Sequence, residues 1–307
     1  MFLNEILLLG FQRLGNYRFV FSPTLIFVYT FILSGNTIII LVILSNKLLQ
    51  SPMYFFLCNL SFSEIICTTI IFPIMLQSLL RNGITLSLIG CLTQFFFFAS
   101  LVLTESFLLT VMSYDRYLAI CRPLHYSSIM NFRFCCYLSL ACWTSSFLMM
   151  SFVIGILTQQ DFCGQRNTID HFFCDLVPIL DLSCSDTSDV KFTVYLFSPL
   201  SVFCPFLFIT MTYISIIRSV LSIRSATGKK KAFSTCTSHV IVVSTYYITL
   251  FMVYLVPTNS FLQINKVLSL LYTVITPLVN PFIYSLSNRE IKAGIAMYLN
   301  WKIKMRP

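Results

Sequence analysis

Charged residues are scarce in this chain. Only 10% of its 307 residues are Asp, Glu, Lys or Arg, whereas 57% are hydrophobic and the mean hydropathy is +0.84. A soluble domain of this length would need far more polar groups to cover its surface. The shortage of charge therefore excludes a single water-soluble domain and predicts that most of the chain lies in a lipid bilayer.

Other shortages exclude whole classes of function. The three histidines, His125, His171 and His239, lie in separate regions with no evident nucleophile partner, so an enzyme is not expected. No lysine lies within the last apolar run, where an opsin would hold retinal as a Schiff base, because Lys266 stands at its outer edge. Internal repeats are also lacking, which leaves a secondary transporter as a remote alternative. Nothing before the first apolar run looks like a cleavable signal, so that run is expected to direct membrane insertion.

What the chain does contain is seven long apolar runs. A helix needs about 20 residues to cross the hydrocarbon core of a bilayer. These runs lack the alternation of barrel strands, and helices satisfy their own backbone hydrogen bonds in lipid. We therefore predict an all-α membrane protein, a seven-transmembrane helix bundle that forms a single domain over residues 1–307. The runs lie at residues 24–44, 53–80, 91–121, 135–157, 194–217, 232–256 and 267–286.

The basic residues predict the orientation of the bundle. With the amino terminus outside, most of the 20 Lys and Arg residues face the cytosol, as the positive-inside rule requires. The segments between spans then include an extracellular amino terminus (residues 1–23), a long outer loop (158–191), a basic cytosolic loop (218–231) and a cytosolic tail (288–307). Because the cations are spread over membrane-flanking segments, nucleic acid is not expected as a partner. Apolar residues at helical spacing predict a short amphipathic helix in the tail, at Ile291, Ile295, Tyr298 and Leu299.

The twelve cysteines divide by compartment. Most lie in spans or at cytosolic ends, where packed or reduced thiols are expected. Cys91, Cys163, Cys174 and Cys184 lie outside, and four oxidisable cysteines permit three pairings.

An acid-base pair stands where the third apolar run meets a basic loop. At such a helix end, the ion pair between Asp115 and Arg116 can form or break at modest desolvation cost. Together with four other motifs, this run resembles the olfactory receptors of the rhodopsin-like (class A) G-protein-coupled receptor family, over nearly the whole chain. The motifs are Met112-Ser113-Tyr114-Asp115-Arg116-Tyr117-Leu118-Ala119-Ile120-Cys121, Pro52-Met53-Tyr54-Phe55-Phe56-Leu57, Pro123-Leu124-His125-Tyr126, Lys231-Ala232-Phe233-Ser234-Thr235-Cys236 and Asn280-Pro281-Phe282-Ile283-Tyr284-Ser285.

The resemblance implies two disulfides and a switch that contacts a G protein. It pairs Cys91 with Cys174, which ties the third helix to the long outer loop, and Cys163 with Cys184 inside that loop. It also implies that Asp115 or neighbouring polar groups hold Arg116 when the receptor is idle, and that outward motion of the sixth helix frees it. The residues expected to act in this switch are Asp115, Arg116, Tyr117, Tyr213, His239, Asn280, Pro281 and Tyr284.

Individual residues of the switch have different expected roles. Tyr213 and Tyr284 are the expected partners of Arg116 in the active arrangement, and Pro281 lets the seventh helix bend. His239 has two interpretations, a bond near Arg116 or an ordinary structural histidine, and the second is favoured.

Two carboxylates are predicted near the middle of the membrane. At 1.5 Å of rise per residue, Glu64 and Glu105 both lie about 16 Å from the cytosolic ends of their helices, and Asn36 and Asn280 fall in the same layer. Two bare charges this close in a low dielectric are very unfavourable, so the pair must share a proton or hold a cation. A sodium-binding switch centre at Glu64 and Glu105 is one interpretation. The other, in which both acids are protonated and simply hydrogen-bond neighbouring helices, has equal weight.

Above this layer, helical spacing predicts a ligand cavity. Apolar faces of the third and sixth helices point inward, and residues of the fifth and seventh helices lie at comparable depth in regions that line the cavity of this family. Such a lining suits a small, mostly hydrophobic molecule, and no charged anchor for an amine or an acid is expected. Ordinary helix packing is the alternative for any single residue. The predicted lining is Phe98, Ala99, Val102, Leu103, Ser106, Phe197, Ser198, Ser201, Val202, Tyr247, Leu250, Phe251, Tyr254, Leu270 and Thr273.

The resemblance predicts an odorant receptor that binds small hydrophobic volatile molecules and activates a stimulatory, olfactory-type heterotrimeric G protein to raise cyclic AMP. It places the protein in the plasma membrane, in the cilia of olfactory neurons. The alternative function is a rhodopsin-like receptor for a pheromone or an internal metabolite. No cofactor other than the sodium ion is expected.

Overall fold

A computed structural model of the chain describes residues 3–163, 167–255, 262–287 and 289–304. Within them, seven helical spans are long and apolar enough to cross a membrane, which confirms the predicted all-α bundle. The helices are α1 (Arg18–Ser45), α2 (Pro52–Arg81), α3 (Leu88–Cys121), α4 (Pro123–Ile129), α5 (Phe132–Leu157), α6 (Leu176–Leu180), α7 (Ser188–Ser198), α8 (Cys204–Ser222), α9 (Ala226–Leu255), α10 (Leu262–Ser287) and α11 (Arg289–Lys304). The seven spans are formed by α1, α2, α3, α5, α7 continued by α8, α9 and α10.

Several helices extend beyond the apolar runs that predicted them. The hydroxyl of Ser87 accepts the N–H of Gly90 at 3.0 Å and caps the start of α3, and Asn131 caps α5 in the same way through the N–H of Phe134 at 3.0 Å. Hydropathy reports which part of a helix meets lipid, whereas caps decide where the helix begins. The ends of these helices were therefore not readable from hydropathy alone.

The predicted cytosolic loop at residues 218–231 is mostly helical. Helix α8 continues to Ser222 and α9 begins at Ala226, so residues 223–225 alone connect the two helices. Basic residues have good helix propensity, and the hydroxyl of Ser225 accepts the N–H of Gly228 at 3.3 Å near the start of α9. Both helices therefore extend into the predicted segment, because charged residues end the membrane-buried part of a helix without ending the helix.

The fifth span is interrupted by a π-helical turn at Pro199–Phe203, between α7 and α8. In this turn the N–H of Cys204 reaches back to the carbonyl of Pro199. Pro205 follows and has no N–H, so the carbonyl of Ser201 loses the partner that a regular helix would supply. The two prolines create a local break beside the outer half of the bundle.

The outer face carries a small sheet that the sequence analysis did not predict. Its strands are β1 (Glu5–Leu8), β2 (Ile84–Ser87) and β3 (Thr168–Ile169), in the order β2-β1-β3. Strand β1 pairs antiparallel with β2 and parallel with β3. The amino-terminal segment and the long outer loop are thus joined by backbone hydrogen bonds. This loop, predicted at residues 158–191, also contains α6 and the start of α7.

Both predicted disulfides are present. Cys91 is bonded to Cys174 and Cys163 to Cys184. The first anchors the outer loop to the start of α3, and the second closes the loop on itself. Together with the sheet, they hold the loop as a lid over the helices.

After the last span, the predicted amphipathic helix is confirmed as α11. Its Ile291 is 0% exposed, and the hydroxyl of Tyr54 on α2 donates to Glu290 at 2.7 Å. Gly294 lies so close to the bundle that an added Cβ would be 2.9 Å from Cγ1 of Val42 and 3.0 Å from Cδ1 of Leu49. The absence of a side chain at this position lets α11 dock on α1.

We predict that Gly294→Ala destabilises the protein although alanine is the better helix former. The intruding methyl group must push against Val42 and Leu49, and overpacking of this kind costs about 1–3 kcal/mol. Gly155→Ala on α5 is the matched control, since an added Cβ there meets nothing within 4 Å. Thermal unfolding of the purified proteins in detergent checks the prediction. Equal melting temperatures for the two variants would contradict it.

Candidate functional site

A cavity of about 430 Å³ lies in the outer half of the bundle. Its walls come from α3, α5, the α7 span with its π-helical turn, and α9, and the outer loop contributes at Asp175 and Leu176. Most of its lining is aliphatic or aromatic. The predicted lining residues that it contains are Phe98, Ala99, Val102, Leu103, Phe197, Ser198, Ser201, Val202, Leu250 and Phe251.

Other lining residues were missed by the sequence analysis. Phe95 lies one turn before Phe98 on the same face of α3, so helical spacing could have found it. The contributions of α5 and of the outer loop depend on how distant elements pack, and no local pattern marks them. The missed residues are Phe95, Met149, Met150, Val153, Asp175, Leu176, Val194, Tyr195, Phe203 and Tyr246.

Two predicted lining residues on the seventh helix lie apart from this cavity. Leu270 and Thr273 are not among the described lining residues, and the Thr273 hydroxyl donates to the carbonyl of Ser269 at 2.9 Å. Tyr272 instead packs edge-on against Phe98 and Tyr246, with ring centroids 6.4 and 6.3 Å apart. These rings separate α10 from the cavity, which corrects the prediction that α10 contributes. The side chain of Tyr254, also predicted, lies outside the described residues.

The remaining two predicted residues form a hydrogen-bonded floor. The Ser106 hydroxyl donates to the carbonyl of Ser201 at 3.1 Å and lies 3.1 Å from the hydroxyl of Tyr247. Because Ser106 has a single hydrogen, Tyr247 must donate in the second bond. Ser106 thereby satisfies the carbonyl that Pro205 leaves without a helical partner, and the chain of bonds links α9, α3 and the fifth span. Ser106 and Tyr247 are not among the described lining residues, and they lie at the inner edge of the cavity beside the lining residues Ser201 and Tyr246.

The predicted polar layer forms in the middle of the bundle. Glu64 is 1% and Glu105 5% exposed, and the amide of Asn280 donates to Oε1 of Glu64. Asn36 and Ser63 are also buried in this layer, and Asn36 Oδ1, Ser63 Oγ and Glu64 Oε2 have no hydrogen-bond partner among the described residues. Among the described residues, no group of three or more His, Cys, Asp or Glu side chains has the geometry of a metal site. The layer therefore offers two carboxylates supported by amide and hydroxyl groups.

At the cytosolic end, the predicted ion pair is formed. Arg116 Nη2 lies 3.0 Å from Asp115 Oδ2, and the Asp115 side chain is 0% exposed. The hydroxyl of Tyr126 on α4 donates to Asp115 Oδ1 at 2.8 Å, a partner that the sequence analysis missed. Burial and the neighbouring Asp115 raise the pKa of Tyr126 above its usual range, so this hydroxyl keeps its proton. The ion pair is thus held by a third group from the following helix.

The other predicted switch residues surround this pair. Tyr213 bonds to Nδ1 of His239 at 2.6 Å, so in this arrangement its partner is His239 and not Arg116. Tyr284 is 1% exposed within the core. Tyr117 packs against the small apolar cluster of α8 and α9 residues at this end, formed by Ile216, Val220 and Cys236.

The outer lid is fastened by polar contacts. Lys266 Nζ donates to Asp170 Oδ1 at 2.7 Å, which joins α10 to the lid. Gln94 accepts the N–H of Cys174 at 2.9 Å and so fixes the lid beside its disulfide. His171 is 6% exposed and stacks on Phe172, with ring centroids 4.7 Å apart. Its burial, reinforced by the charge of Lys266, lowers the pKa of His171 to about 3.

Comparisons with known proteins agree with this geometry. A family model described as Olfactory receptor matches residues 25–302. The chain is 42% identical over 301 residues to olfactory receptor 11A1 of Homo sapiens, which covers 97% of this chain and 94% of that protein. It is 45% identical over 284 residues to human olfactory receptor 10A2, covering 92% of this chain and 93% of that protein. Among solved structures, its fold is similar to squid rhodopsin, with a TM-score of 0.75 and 19% identity over 94% of this chain and 87% of that one.

We predict that acid destabilises the protein through His171. The folded state keeps this ring neutral down to a pKa of about 3, whereas the unfolded chain protonates it near 6.5. The unfolded state therefore binds more protons below pH 6.5, and stability falls as the pH is lowered, by about 2 kcal/mol at about pH 5. Thermal unfolding as a function of pH measures this loss.

Two variants provide the controls for this pH dependence. His171→Phe keeps an aromatic ring beside Phe172 but cannot take up a proton, so its melting temperature should fall less steeply with acid. His125→Gln on the exposed side of α4 should retain the wild-type pH profile. If His171→Phe retained it as well, another group would be responsible.

Proposed function

Because the chain belongs to the olfactory receptor family, we propose that it binds small, mostly hydrophobic volatile molecules and activates a stimulatory, olfactory-type heterotrimeric G protein to raise cyclic AMP. The protein is a multi-pass plasma-membrane receptor of the G-protein-coupled class and not an enzyme. The ciliary membrane of olfactory neurons is its proposed location. The observation that carries the ligand proposal is the largely apolar cavity of about 430 Å³ beneath the lid.

The cavity supports a ligand that binds mainly through burial. Transfer of apolar surface from water contributes roughly 25 cal/mol per Å², so a small hydrocarbon skeleton can reach useful affinity with few polar contacts. The lid and the hydrogen-bonded floor would keep water away from such a ligand. Volatile molecules have these properties, since they are small and mostly apolar.

The closed ion pair supports an idle arrangement of the cytosolic switch. With Arg116 held by Asp115, and Asp115 also held by Tyr126, the Arg116 side chain is 14% exposed. A G protein would need this group released. A ligand can favour release only if it contacts the released arrangement better than the closed one. Phe251 and Leu250 on α9 line the cavity, so a ligand touches the helix whose motion is proposed to open the switch.

A cyclic-AMP assay in cells that supply the stimulatory olfactory-type G protein tests the proposed function. A panel of volatile alcohols, amines, aldehydes, ketones, esters and acids should contain agonists. Ala99→Phe fills the cavity and should abolish their responses, because the added ring takes up the space that the ligand needs. Ala141→Phe makes the same change on an exposed position of α5 and should respond like the wild type. Surface labelling confirms equal delivery to the membrane.

Two results of this assay would count against the proposal. One is the absence of any response from a receptor that labelling detects at the cell surface. The other is an equal response from Ala99→Phe, which would place the ligand elsewhere.

For the polar layer, we propose that Glu64 and Glu105 hold a sodium ion in the idle receptor. The support is the burial of both carboxylates and three buried oxygens that have no hydrogen-bond partner among the described residues, Oε2 of Glu64, Oδ1 of Asn36 and Oγ of Ser63. Oxygen ligands suit a hard cation of this kind. Protonation of both acids is the competing account.

We predict that sodium weakens agonist potency and that Glu105→Gln removes the effect. Replacing sodium with choline at constant ionic strength should lower the agonist EC50 of the wild type, by roughly fivefold or more for a typical allosteric coupling. Glu5→Gln, an exposed acid on β1, should retain the sodium effect. A wild-type receptor that ignores sodium would favour shared protons instead.

A further inference from the structure

The cavity contains a carboxylate that the sequence analysis did not anticipate. Asp175 directly follows Cys174, whose disulfide to Cys91 and backbone bond to Gln94 fix this part of the lid above α3. Asp175 is the single acidic residue among the described residues of the lining. The expectation that no charged anchor for an amine or an acid is present was based on the helices, whereas Asp175 belongs to the lid.

One oxygen of the Asp175 carboxylate already accepts a hydrogen bond, and the other is available to a ligand. Its Oδ1 accepts the N–H of Leu176 at 2.8 Å, while no described residue donates a hydrogen bond to Oδ2. The ion pairs between described residues are those of Arg116 with Asp115 and of Lys266 with Asp170, so neither neutralises Asp175. Burial raises the pKa of Asp175, which is the expected effect on a carboxylate that has no cation beside it.

Most hydroxyl groups of the lining already donate their hydrogen to a backbone carbonyl. Ser198 donates to the carbonyl of Tyr195 at 3.2 Å and Ser201 to that of Phe197 at 2.9 Å. Tyr246 donates to the carbonyl of Val102 at 2.8 Å. Each hydroxyl has one hydrogen, and each of these is committed to the backbone. The hydroxyl of Tyr195 has no such acceptor among the described residues, and its side chain, which also lines the cavity, is 76% exposed.

Taken together, the described polar groups of the lining other than Tyr195 are acceptors, or donors already committed to the backbone. We propose that the cavity selects hydrophobic molecules whose polar group donates hydrogen bonds, aliphatic amines first and alcohols second, with Asp175 as the acceptor. This inference rests on the proposed function and narrows it to a ligand class. An ammonium group supplies both a hydrogen-bond donor and the positive charge that is missing beside Asp175, whereas an alcohol supplies the donor alone.

Acceptor-only molecules fit this lining poorly. The oxygen of an aldehyde, ketone or ester would leave water and find no uncommitted hydrogen on Ser198, Ser201 or Tyr246, and Asp175 would stay unpaired. A hydrogen bond to a charged group changes affinity by roughly ten- to a hundredfold, so the difference is large enough to order ligands of equal size.

The test uses one hexyl chain with different polar groups. Hexylamine, hexanol and hexanal are compared at neutral pH by EC50 in the cyclic-AMP assay and by thermal stabilisation of the purified receptor in lipid nanodiscs. Hexylamine should act at the lowest concentration, hexanol next, and hexanal at a concentration roughly tenfold or more above that of hexylamine. Ala99→Phe, with its cavity filled, should show no stabilisation and so corrects for effects on the lipid.

Asp175→Asn tests the assigned residue. The asparagine keeps an oxygen for the N–H of Leu176, loses the charge and brings an N–H₂ donor of its own. The advantage of hexylamine should fall roughly ten- to a hundredfold, and hexanal should gain. Asp181→Asn, at the other end of α6, is the matched control and should retain the wild-type order, since Asp181 is exposed and is not among the described lining residues.

The outcomes separate this inference from the function it rests on. Thermal stabilisation in the order amine, alcohol, aldehyde supports the inference even if no cyclic-AMP response is seen. The missing response would count against the proposed G protein instead. Equal or stronger stabilisation by hexanal would overturn it, as would an Asp175→Asn variant that shifts all three ligands equally. Should that variant fail to reach the membrane, the wild-type series alone decides.

Discussion

The interior of a bilayer contains no water to satisfy a polar group, and this constraint organises the structure. A buried backbone carbonyl or polar side chain that finds no partner within the protein therefore costs free energy. The carbonyl of Ser201, which Pro205 leaves open, takes the hydroxyl of Ser106, and Glu64 takes the amide of Asn280. Because these partners lie on different helices, the need for hydrogen bonds becomes a set of links between helices, spaced along the bundle from the cavity to the cytosol.

Helix α3 connects these links into one path. It contributes Phe98 to the cavity, Ser106 to the floor, Glu105 to the polar layer and Asp115 to the cytosolic ion pair. The helix is continuous from Leu88 to Cys121 and is therefore a rigid frame for the partners that bond to it. The fifth span differs, since its π-helical turn at Pro199–Phe203 interrupts the regular ladder beside the cavity. Motion in response to a ligand should accordingly concentrate in the fifth and sixth spans and not in α3.

The sequence predicted those features that depend on local pattern. Hydropathy located the seven spans, and helical spacing placed Phe98, Val102 and Phe251 at one cavity. Features that depend on distant pairing escaped it. Strand β1 forms only by pairing with β2 and β3, which lie far away in the sequence. Asp175 reaches the cavity only because a disulfide and the sheet hold the lid over the helices. Leu270 has suitable depth but is not among the described lining residues, and Tyr272 of the same helix packs on Phe98 and Tyr246, a contact that spacing along one helix cannot reveal.

The floor decides how the occupied cavity can influence the cytosolic face. Tyr247, Ser106 and the carbonyl of Ser201 join three spans through two hydrogen bonds, each worth about 1 kcal/mol net. The free energy of these bonds is small compared with the free energy that a ligand gains by burying its apolar surface. A ligand packed on Phe251 and Val202 can therefore break or strengthen the bonds by a small shift of α9. The ion pair of Asp115 and Arg116 lies at the cytosolic end of α3, and His239 of α9 lies toward the same end of the bundle. Displacement of α9 therefore changes the surroundings of Arg116 without moving α3. Because the hydrogen bonds of the floor are weak and the burial of a hydrophobic ligand is strongly favourable, binding in the cavity can change the position of α9 and so the surroundings of Arg116.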